Sequence, residues 1–444
     1  MPKYQAVRGT KDILPTFAKA SADGPADSAQ FQRLENTARG LFASFGYQEI
    51  RTPTFESVDL FQRSLGETTD VVQKEMYVFE DRGGRKLALR PEGTAGVVRA
   101  FIEHHLSQTH PFCKLFYIGP MFRAERPQAG RYREFWQIGA EYFGNASPSA
   151  DAELLLLVQS LFRALGLQDA HLKINSLGDS KCRPKYLEAL TAYIKGILPT
   201  LCDDCQRRAE KNPLRVLDCK VDSPKLVGVP TIDQFWCDDC RTHFAKVQNL
   251  LKQAGGTFDV VPRLVRGLDY YTRTVFEVTS SALGAQDALA AGGRYDTLVK
   301  ELGGPDVPAL GFAMGAERAI QAIQKIVTGT IFGGGEKIAP GTNFVFVAAM
   351  GGMAAERAFT LLQELRQSPE LAARSTVIEG GFFEKKLGAQ LTIADRVSAS
   401  HVIILGEEEI QKNEVTLRIM KSGAQERVPR KDVISKLLSL IPLA

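Results

Sequence analysis

The stretch Phe122–Gly144, FRAERPQAGRYREFWQIGAEYFG, places four arginines between two aromatic-rich runs: Arg123, Arg126, Arg131 and Arg133. We predict two strands, 114–123 and 134–143, joined by a long charged loop. Because side chains alternate between the two faces of a strand, Gln137 and Glu141 share one face, and the glycine between them leaves room for a group to lie against the backbone. This pattern favours a ligand site on the floor of a sheet over an ordinary solvated face.

The residue types on this floor indicate two kinds of ligand. An arginine fixed at the end of a strand suits a bidentate contact with phosphate or carboxylate. Gln137 and Glu141 suit an ammonium group, and Phe135 lies where its ring can stack on a base. Together they predict a nucleotide beside an amino acid.

Size and composition limit the class of protein. A chain of 444 residues is long enough for two or three domains of about 100–200 residues each. No apolar run approaches the ~18 residues that cross a bilayer, and the N-terminus lacks the apolar core of a signal peptide. We therefore expect a cytoplasmic protein with no membrane segment. A net charge of +4 is small, so any contact with nucleic acid must come from local patches.

Several further elements follow from local patterns. Apolar residues at helical spacing predict a helix over 31–45, which Gly46 ends. KLALRPEGTAGVVRAFIEH (86–104) reads as strand, turn and helix, and PALGFAMGAERAIQAI (308–323) as a strand entering a helix. AAGGRYDTLV (290–299) reads as a glycine-rich turn.

The C-terminal part has a different pattern. A glycine-rich run, placed at 336–342, predicts a linker. Beyond it the strands NFVFVAAM, STVIEG and SHVIILG alternate with two amphipathic helices, which predicts an α/β domain over 343–444.

Several of these motifs resemble those of one family. FRAERPQAGRYREFWQIGAEYF is similar to motif 2 of class II aminoacyl-tRNA synthetases, and LGFAMGAERAI to motif 3. RGTKDILP, RPEGT (Arg90–Thr94), VRGLDYYTRTVFE and AGGRYD resemble signatures of histidyl-tRNA synthetases in particular. The resemblance covers nearly the whole chain, with the motifs in the expected order.

The resemblance implies an α+β fold. The catalytic domain, 1–335, is expected to be an antiparallel sheet with flanking helices, interrupted by a cysteine-rich insertion at about 180–255. The α/β domain at 343–444 is then an anticodon-binding domain, and the insertion contacts the tRNA acceptor stem. Motif 1, around Phe45–Phe55, is expected at the interface of a homodimer.

The resemblance also implies a site. The residues expected to bind histidine are Glu92, Gly93, Thr94, Arg123, Gln137, Glu141, Arg266, Tyr270, Tyr271 and Tyr295. Those expected to bind ATP are Arg123, Glu125, Arg131, Phe135 and Arg318. Arg123, Arg266 and Arg318 are the expected catalytic residues. Whether the three loop arginines meet the outer phosphates of ATP or the tRNA acceptor end stays open.

The implied activity is ligation of L-histidine to tRNA(His). Histidine and ATP, which enters with Mg²⁺, form histidyl-adenylate and pyrophosphate, and a terminal ribose hydroxyl of the tRNA then accepts the histidine. Two other functions are weighed against it. A regulatory paralogue used in histidine biosynthesis generally lacks the C-terminal domain and loses catalytic arginines. A plain RNA-binding module leaves Gln137, Glu141 and the tyrosines without a purpose.

Six of the seven cysteines lie between positions 182 and 240. Two Cys-x-x-Cys pairs have the spacing of a zinc ribbon, and a fifth cysteine, Cys219, lies between them as an alternative ligand. The candidate ligands are Cys202, Cys205, Cys237 and Cys240. In the insertion of the resembled family no metal is expected as a rule, so a structural zinc and packed free thiols both remain open.

Overall fold

The computed structural model describes residues 4–14, 28–66, 69, 71–110, 112–125, 131–284, 287–326, 343–374, 376–397 and 399–441. Within these ranges the strands form sheets of eight, five and three strands. Every helix described is too short or too polar to cross a bilayer.

The eight-stranded sheet contains the predicted hairpin as its second and third strands. Five of its seven neighbouring pairs are antiparallel, and only the two outermost pairs are parallel, which confirms the predicted antiparallel class. Its strands, in spatial order, are β1 (Gln48–Glu49), β5 (Cys113–Phe122), β6 (Glu134–Phe143), β11 (Ala309–Gly315), β10 (Ala288–Arg294), β9 (Thr272–Thr279), β7 (His171–Ser176) and β8 (Asp259–Val260).

Helices cover both faces of this sheet. The apolar side chains of one face, including Phe116 and Ile138, pack into one core with helices α1 (Ser28–Ser44), α5 (Pro148–Ala164), α9 (Asp238–Gln253) and α11 (Ala316–Ile326). The opposite face, including Tyr117 and Met121, packs into a second core with α2 (Val58–Leu65), α3 (Thr94–Glu103) and α10 (Leu298–Glu301). The predicted division of the hairpin into two faces is therefore confirmed, but the polar face is buried as well.

Short elements complete this part of the chain. A three-stranded sheet of β2 (Phe55–Ser57), β4 (Lys86–Leu89) and β3 (Val78–Glu80) adjoins α2, and α4 (Leu106–Thr109) follows α3. Between β7 and β8 the chain is helical, with α6 (Arg183–Ile197), α7 (Asp203–Lys211) and α8 (Leu214–Leu217) preceding α9. This helical stretch coincides with the predicted insertion.

The prediction of a glycine-rich turn at 290–299 is wrong for its first half, because residues 290–294 belong to β10. The glycines serve close approach of strands instead of a turn. A Cβ at Gly292 would lie 2.2 Å from the carbonyl oxygen of Gly311 on the neighbouring strand. Glycine inside a strand permits such an approach of two backbones.

The C-terminal sheet is mixed. The three predicted strands are β12 (Asn343–Ala349), β13 (Thr376–Glu379) and β14 (His401–Leu405), all parallel, and β15 (Glu414–Ile419) and β16 (Gln425–Pro429) extend the sheet antiparallel. Its helices are α12 (Gly352–Arg366), α13 (Pro369–Ala373), α14 (Leu387–Arg396), α15 (Glu407–Lys412) and α16 (Val433–Leu440). Sequence reasoning missed β15, although Val415 and Leu417 alternate with polar residues there. The predicted linker at 336–342 lies outside the described residues.

Four buried charges join the two large sheets. Lys114 Nζ, from β5, lies 2.6 Å from carboxylate oxygens of both Glu153, on α5, and Glu379, at the end of β13. Arg366, at the end of α12, completes the set, with its guanidinium 2.9 Å from Glu153 and 3.5 Å from Glu379. The four side chains are at most 2% exposed, and two positive charges balance two negative ones.

The helix-ending Gly46 makes this network possible. Its φ of +80° is unfavourable for a residue with a side chain, and a Cβ there would lie 1.9 Å from Glu379 Oε1. The same glycine therefore ends α1 and admits a carboxylate from the C-terminal sheet.

We expect Lys114→Met to destabilise the protein, because it leaves two buried carboxylates facing one guanidinium. Removing one partner of a buried ion pair costs about 3–5 kcal/mol, which a fall in the urea midpoint of unfolding would report. The double variant Lys114→Met/Glu379→Gln should lose less than the two single variants together.

The matched control is Lys300→Met, which removes an exposed ion pair of 2.9 Å with Asp306. Its expected effect is within about 0.5 kcal/mol. A Lys114→Met protein as stable as the control would contradict the role of the network.

Candidate active site

Glu141, on β6, is the buried centre of the candidate site, with no exposed surface. Its Oε1 accepts a hydrogen bond of 2.7 Å from the Thr94 hydroxyl, and its Oε2 accepts one of 2.5 Å from the Tyr295 hydroxyl. Three segments that are far apart in sequence therefore meet at one carboxylate: the hairpin, RPEGT and AGGRYD.

Gly311 provides the space that this carboxylate occupies. It lies opposite Glu141 in the register of β11 with β6. A Cβ at position 311 would lie 1.7 Å from Glu141 Oε2, so any larger residue would displace the carboxylate. The first glycine of LGFAMGAERAI thus has a local structural role.

Burial raises the pKa of Glu141 to about 8, although the hydrogen bonds from Tyr295 and Thr94 act in the opposite direction. The nearby carboxylate of Glu92 raises it further. Without a bound cation, the Glu141 carboxyl is therefore protonated near neutral pH. A cationic ligand favours the ionised form, so this position suits an ammonium group.

Three tyrosines form a cluster beside Glu141. The ring centres of Tyr270 and Tyr271 are 4.6 Å apart, and those of Tyr270 and Tyr295 are 5.6 Å apart. All three are buried, and burial raises the pKa of Tyr271 to about 12. Neutral hydroxyl groups therefore face this side of the site, and the structure brings the predicted tyrosines together.

Gln137 lies on the same face of β6 and is 9% exposed. Its amide oxygen is buried and accepts no hydrogen bond from the described residues. A buried acceptor without a donor costs about 1–3 kcal/mol, which a ligand with an N–H group recovers. The oxygen of Gln137 is therefore positioned for a donor that comes from outside the protein.

The space predicted beside the central glycines is filled by protein. A Cβ at Gly139 would lie 2.4 Å from the Tyr117 hydroxyl, and one at Gly93 would lie 2.3 Å from the same ring. At Gly119 the Arg90 guanidinium occupies the corresponding space, 2.4 Å from a built Cβ. Tyr117 and Arg90 thus form part of the floor that was expected to receive a ligand directly.

Glu92 contacts the start of α3. Its two oxygens accept the backbone N–H groups of Thr94 and Ala95, at 2.7 and 2.8 Å. Burial raises its pKa, while these hydrogen bonds and Arg123 lower it. Glu92 therefore holds Thr94 in a position to bind Glu141. The predicted contact of Glu92 with histidine stays a prediction.

Arg123 follows the last residue of β5. Its Nε donates a hydrogen bond of 2.9 Å to the carbonyl oxygen of Pro91, and its guanidinium lies 5.4 Å from the centre of the Phe135 ring. Glu125, two residues after Arg123, forms an ion pair with Arg131 in which the nitrogen and oxygen are 2.9 Å apart. The structure therefore gathers the predicted ATP-binding residues of the hairpin around the end of β5.

The other two loop arginines differ in their surroundings. Arg133 donates a hydrogen bond of 3.2 Å to the carbonyl oxygen of Arg8, and its backbone N–H donates one of 2.7 Å to Gly9. It therefore fastens the N-terminal RGTKDILP segment to the hairpin. Arg126 lies outside the described residues.

Arg266 and Arg318 complete the charged side of the site. Arg266 pairs with Glu277 at 3.0 Å, and its buried Nε donates to no described residue. Burial lowers the pKa of Arg318, and Arg131 acts in the same direction, whereas Glu277 and Glu125 oppose it. Arg131 acts on Arg318, and Glu277 acts on Arg318 and pairs with Arg266, so these three arginines lie in one region that suits a polyanion.

Sequence reasoning missed three contributors. Tyr117 shares the polar face by simple alternation, and Glu277 lies within VRGLDYYTRTVFE, so both were within reach of the sequence. Asp151, on α5, carried no local signal. It forms an ion pair with the fully buried Arg294 of AGGRYD, which anchors the strand end that carries Tyr295.

The four cysteines considered as candidate zinc ligands are not brought together. Cys202 and Cys205 meet Cys219 and Asp222, whereas the second Cys-x-x-Cys pair meets Cys182 and Asp179. The reason is topological, because the two pairs lie at the starts of different helices, α7 and α9. Each pair finds its partners elsewhere in the insertion.

Comparison with known proteins is consistent across the chain. The family model described as histidyl-tRNA synthetase matches residues 22–179 and 229–319, and the model described as anticodon binding domain matches 345–440. The histidine–tRNA ligase of Desulfosudis oleivorans is 47% identical over 98% of both chains, and that of Aquifex aeolicus is 47% identical over 96% of this chain and 98% of its own.

A solved structure matches the whole chain as well. The crystal structure of apo histidyl-tRNA synthetase from S. aureus superposes with a TM-score of 0.59 at 33% identity, covering 98% of this chain and 100% of the other. With both the sequence relatives and the fold in agreement, the chain belongs to the histidyl-tRNA synthetase family.

Proposed function

We propose that the protein ligates L-histidine to tRNA(His) in two steps driven by ATP. The observation that carries the proposal is the buried Glu141, held by Thr94 and Tyr295, on the same floor as the arginine-rich end of the hairpin. A site for a cation thus adjoins a site for an anion. The membership of the family, whose curated relatives are named histidine–tRNA ligases, supports the same activity.

Histidine binds, in this proposal, with its α-ammonium group against Glu141 and Gln137. Ionised Glu141 supplies the countercharge, and the unsatisfied oxygen of Gln137 accepts one N–H. Tyr271 and Tyr295 contact the imidazole, with Tyr270 behind them. Glu92, Gly93 and Thr94 border the pocket through the start of α3.

ATP binds on the charged side. Phe135 and Glu125 border the adenine, Arg123 and Arg266 hold the α-phosphate and the histidine carboxylate, and Arg318 with Arg131 holds the outer phosphates. A histidine carboxylate oxygen attacks the α-phosphorus, the bond to the bridging oxygen breaks, and pyrophosphate leaves with the electron pair. Both reactants are anions, so positioning and charge neutralisation dominate the catalysis.

Mg²⁺ enters as part of the ATP substrate and neutralises phosphate charge alongside the arginines. In the second step a terminal ribose hydroxyl of tRNA(His) attacks the carbonyl carbon of histidyl-adenylate, and AMP leaves. The 343–444 domain reads the anticodon, consistent with its match to anticodon-binding domains, and the insertion at about 180–255 contacts the acceptor stem.

The regulatory paralogue is the second candidate. It generally lacks an anticodon-binding domain and catalytic arginines, whereas this chain matches such a domain over 345–440 and has Arg123, Arg266 and Arg318. These features favour the enzyme.

The proposal includes a homodimer and a cytoplasmic location. Aromatic side chains remain exposed at one end of the motif 1 region, with Phe55 at 52% and its neighbour Phe79 at 41%. At the other end Phe45 is fully buried beneath the Arg366 guanidinium, so the Phe55 end is the better interface. None of the seven cysteines, all within the described ranges, is in a disulfide, which suits a reducing compartment.

We expect Arg266→Ala to lose about 100- to 1,000-fold in histidine-dependent exchange of pyrophosphate into ATP, since one preorganised contact to the developing charge is removed. The matched control is Arg85→Ala, whose exposed guanidinium pairs only with nearby Asp81 in the structure described. Equal activity of the two variants would contradict the role of Arg266. A folded wild type with no exchange would favour the regulatory function.

We expect histidine binding to release a proton from Glu141 at pH 7. The carboxyl has a pKa of about 8 when the site is empty, so it is protonated at pH 7, and the ammonium group lowers that pKa. Calorimetry in buffers of different ionisation enthalpy counts the protons. Wild type should release about one more than Glu141→Gln, because contributions from histidine itself cancel.

The control for this experiment is Glu317→Gln. Burial also raises the pKa of Glu317, to about 7, but this carboxylate accepts the backbone N–H of Trp136 instead of facing the histidine pocket. Its replacement should leave the proton count unchanged. The same count in wild type and Glu141→Gln would rule out Glu141 as the ammonium partner.

We expect Phe55→Glu to produce a monomer, because a buried charge in an aromatic interface is unfavourable. Light scattering should give about twice 48.8 kDa for wild type and about 48.8 kDa for the variant. Val227→Glu, at a residue 78% exposed in the insertion, should remain dimeric. A dimeric Phe55→Glu protein would place the interface elsewhere.

A further inference from the structure

The insertion contains two separate clusters of three thiols and one carboxylate. The neck cluster consists of Asp179, Cys182, Cys237 and Cys240, and the inner cluster of Cys202, Cys205, Cys219 and Asp222. Within each cluster one ligand atom per residue lies within 4.8 Å of all the others. Each cluster therefore offers four ligand atoms around one point.

The distances fit a tetrahedral ion. Sulfur atoms bound to one zinc at about 2.3 Å are separated by ~3.8 Å, and a sulfur and an oxygen by ~3.5 Å. Cys182 and Cys240 have sulfur atoms 3.8 Å apart, and Cys202 and Cys219 have theirs 3.9 Å apart. Asp179 Oδ1 lies 3.5 Å from the sulfur of Cys182.

Each aspartate is also oriented by a neighbouring cation. Lys225 Nζ lies 2.7 Å from Asp222 Oδ1, while Asp222 Oδ2 faces the sulfur of Cys219 at 3.8 Å. Asp179 repeats the arrangement, since Arg273 contacts its Oδ2 at 3.4 Å while Oδ1 faces the thiols. Outer contacts that aim a ligand in this way are typical of metal sites.

The local sequence supports a built site. Each cluster combines a Cys-x-x-Cys pair that begins a helix, α7 or α9, with one Asp and one Cys separated by two residues. In the neck cluster, Gly178 directly precedes Asp179 and has a φ of +66°. A Cβ at this position would lie 2.5 Å from the Cys182 sulfur. Glycine at this position therefore makes room for the thiol.

Hydrophobic burial does not account for α7. Among its described side chains only Cys205 is buried, and the rest are polar or partly exposed. Burying one small side chain contributes about 1.5 kcal/mol at most, too little to hold a nine-residue helix against the loss of backbone entropy. A cross-link through Cys205 would supply what the core does not.

Other uses of the thiols fit less well. Three thiols per cluster leave one unpaired after any disulfide, and all seven cysteines are free. The ligand atoms lie too close together to surround a cluster of several irons, which holds its cysteines farther apart. A single four-coordinate ion suits both the distances and the mixture of sulfur and oxygen.

We propose that the insertion binds two zinc ions, one in the neck cluster and one in the inner cluster, each through three thiolates and one aspartate. The neck ion joins Asp179 and Cys182 to Cys237 and Cys240, so it cross-links the two ends of the segment between them. The inner ion joins the start of α7 to Cys219 and Asp222. The proposal does not depend on the activity of the protein.

The test is metal analysis of the full-length, untagged protein. Wild type should contain about two equivalents of zinc per chain. Cys205→Ser and Cys240→Ser should each retain about one equivalent, and the double variant almost none. Cys113→Ser, which removes the one cysteine outside both clusters, should retain both ions.

Three results would overturn the proposal. Less than about half an equivalent in wild type excludes both sites. Loss of all zinc in either single variant indicates one shared site, and retention of both ions in a single variant excludes the cluster that it alters.

Cobalt substitution of wild type keeps the test independent of how the serine variants fold. Two sites of three thiolates each should give about twice the thiolate-to-cobalt absorption, per chain, of one such site. Asp222→Asn, a milder change, should weaken zinc retention at one site only. Cobalt uptake without that absorption would overturn the proposal.

Discussion

The burial of one carboxylate, Glu141, constrains most of the catalytic sheet. A carboxyl group without solvent is costly unless hydrogen bonds replace water, and Thr94 and Tyr295 supply them from two distant segments. The sheet must bring β6, α3 and the end of β10 together for this to happen. Gly311 must also lack a side chain, because the carboxylate occupies the space of its Cβ. The fold and the site are therefore specified by the same contacts.

The empty site contains buried ionisable groups whose charged forms are disfavoured. Burial keeps Glu141 protonated, and burial together with the nearby Arg131 lowers the pKa of Arg318. In the proposed function, histidine brings an ammonium group to Glu141 and ATP brings phosphates to Arg318. Such an arrangement reduces the stability of the empty protein in exchange for binding, a trade often found at functional sites.

Sequence reasoning predicted those features that depend on local pattern. The hairpin, its two faces, the helix ended by Gly46 and the strand–helix at 308–323 follow from alternation, spacing and glycine, and all are confirmed. The pairing of Arg294 with Asp151 joins residues 143 positions apart, and no local pattern reveals it. Nor does spacing alone show which thiols meet.

The glycines also show that a local sequence pattern does not reveal three-dimensional neighbours. AAGGRYDTLV resembles a turn because glycine is common in turns, yet Gly292 lies in a strand where two backbones approach. A glycine marks a demand for space or for a left-handed φ. The reason for a glycine becomes clear only from the atoms that surround the position where a Cβ would lie. At Gly139 that position is next to Tyr117, not next to an open space for a ligand.

The neck of the insertion contacts the segment that carries Tyr271, one of the residues proposed to bind histidine. Arg183, the first residue of α6, donates a hydrogen bond of 2.8 Å to the carbonyl oxygen of Tyr271. Arg273, two residues after Tyr271, donates its backbone N–H to Gly178 and accepts the backbone N–H of Leu177. Its side chain contacts Asp179 of the neck cluster. A shift at the neck would therefore move the backbone that carries Tyr271. A cross-link at the neck fixes the insertion and, through these hydrogen bonds, one wall of the pocket.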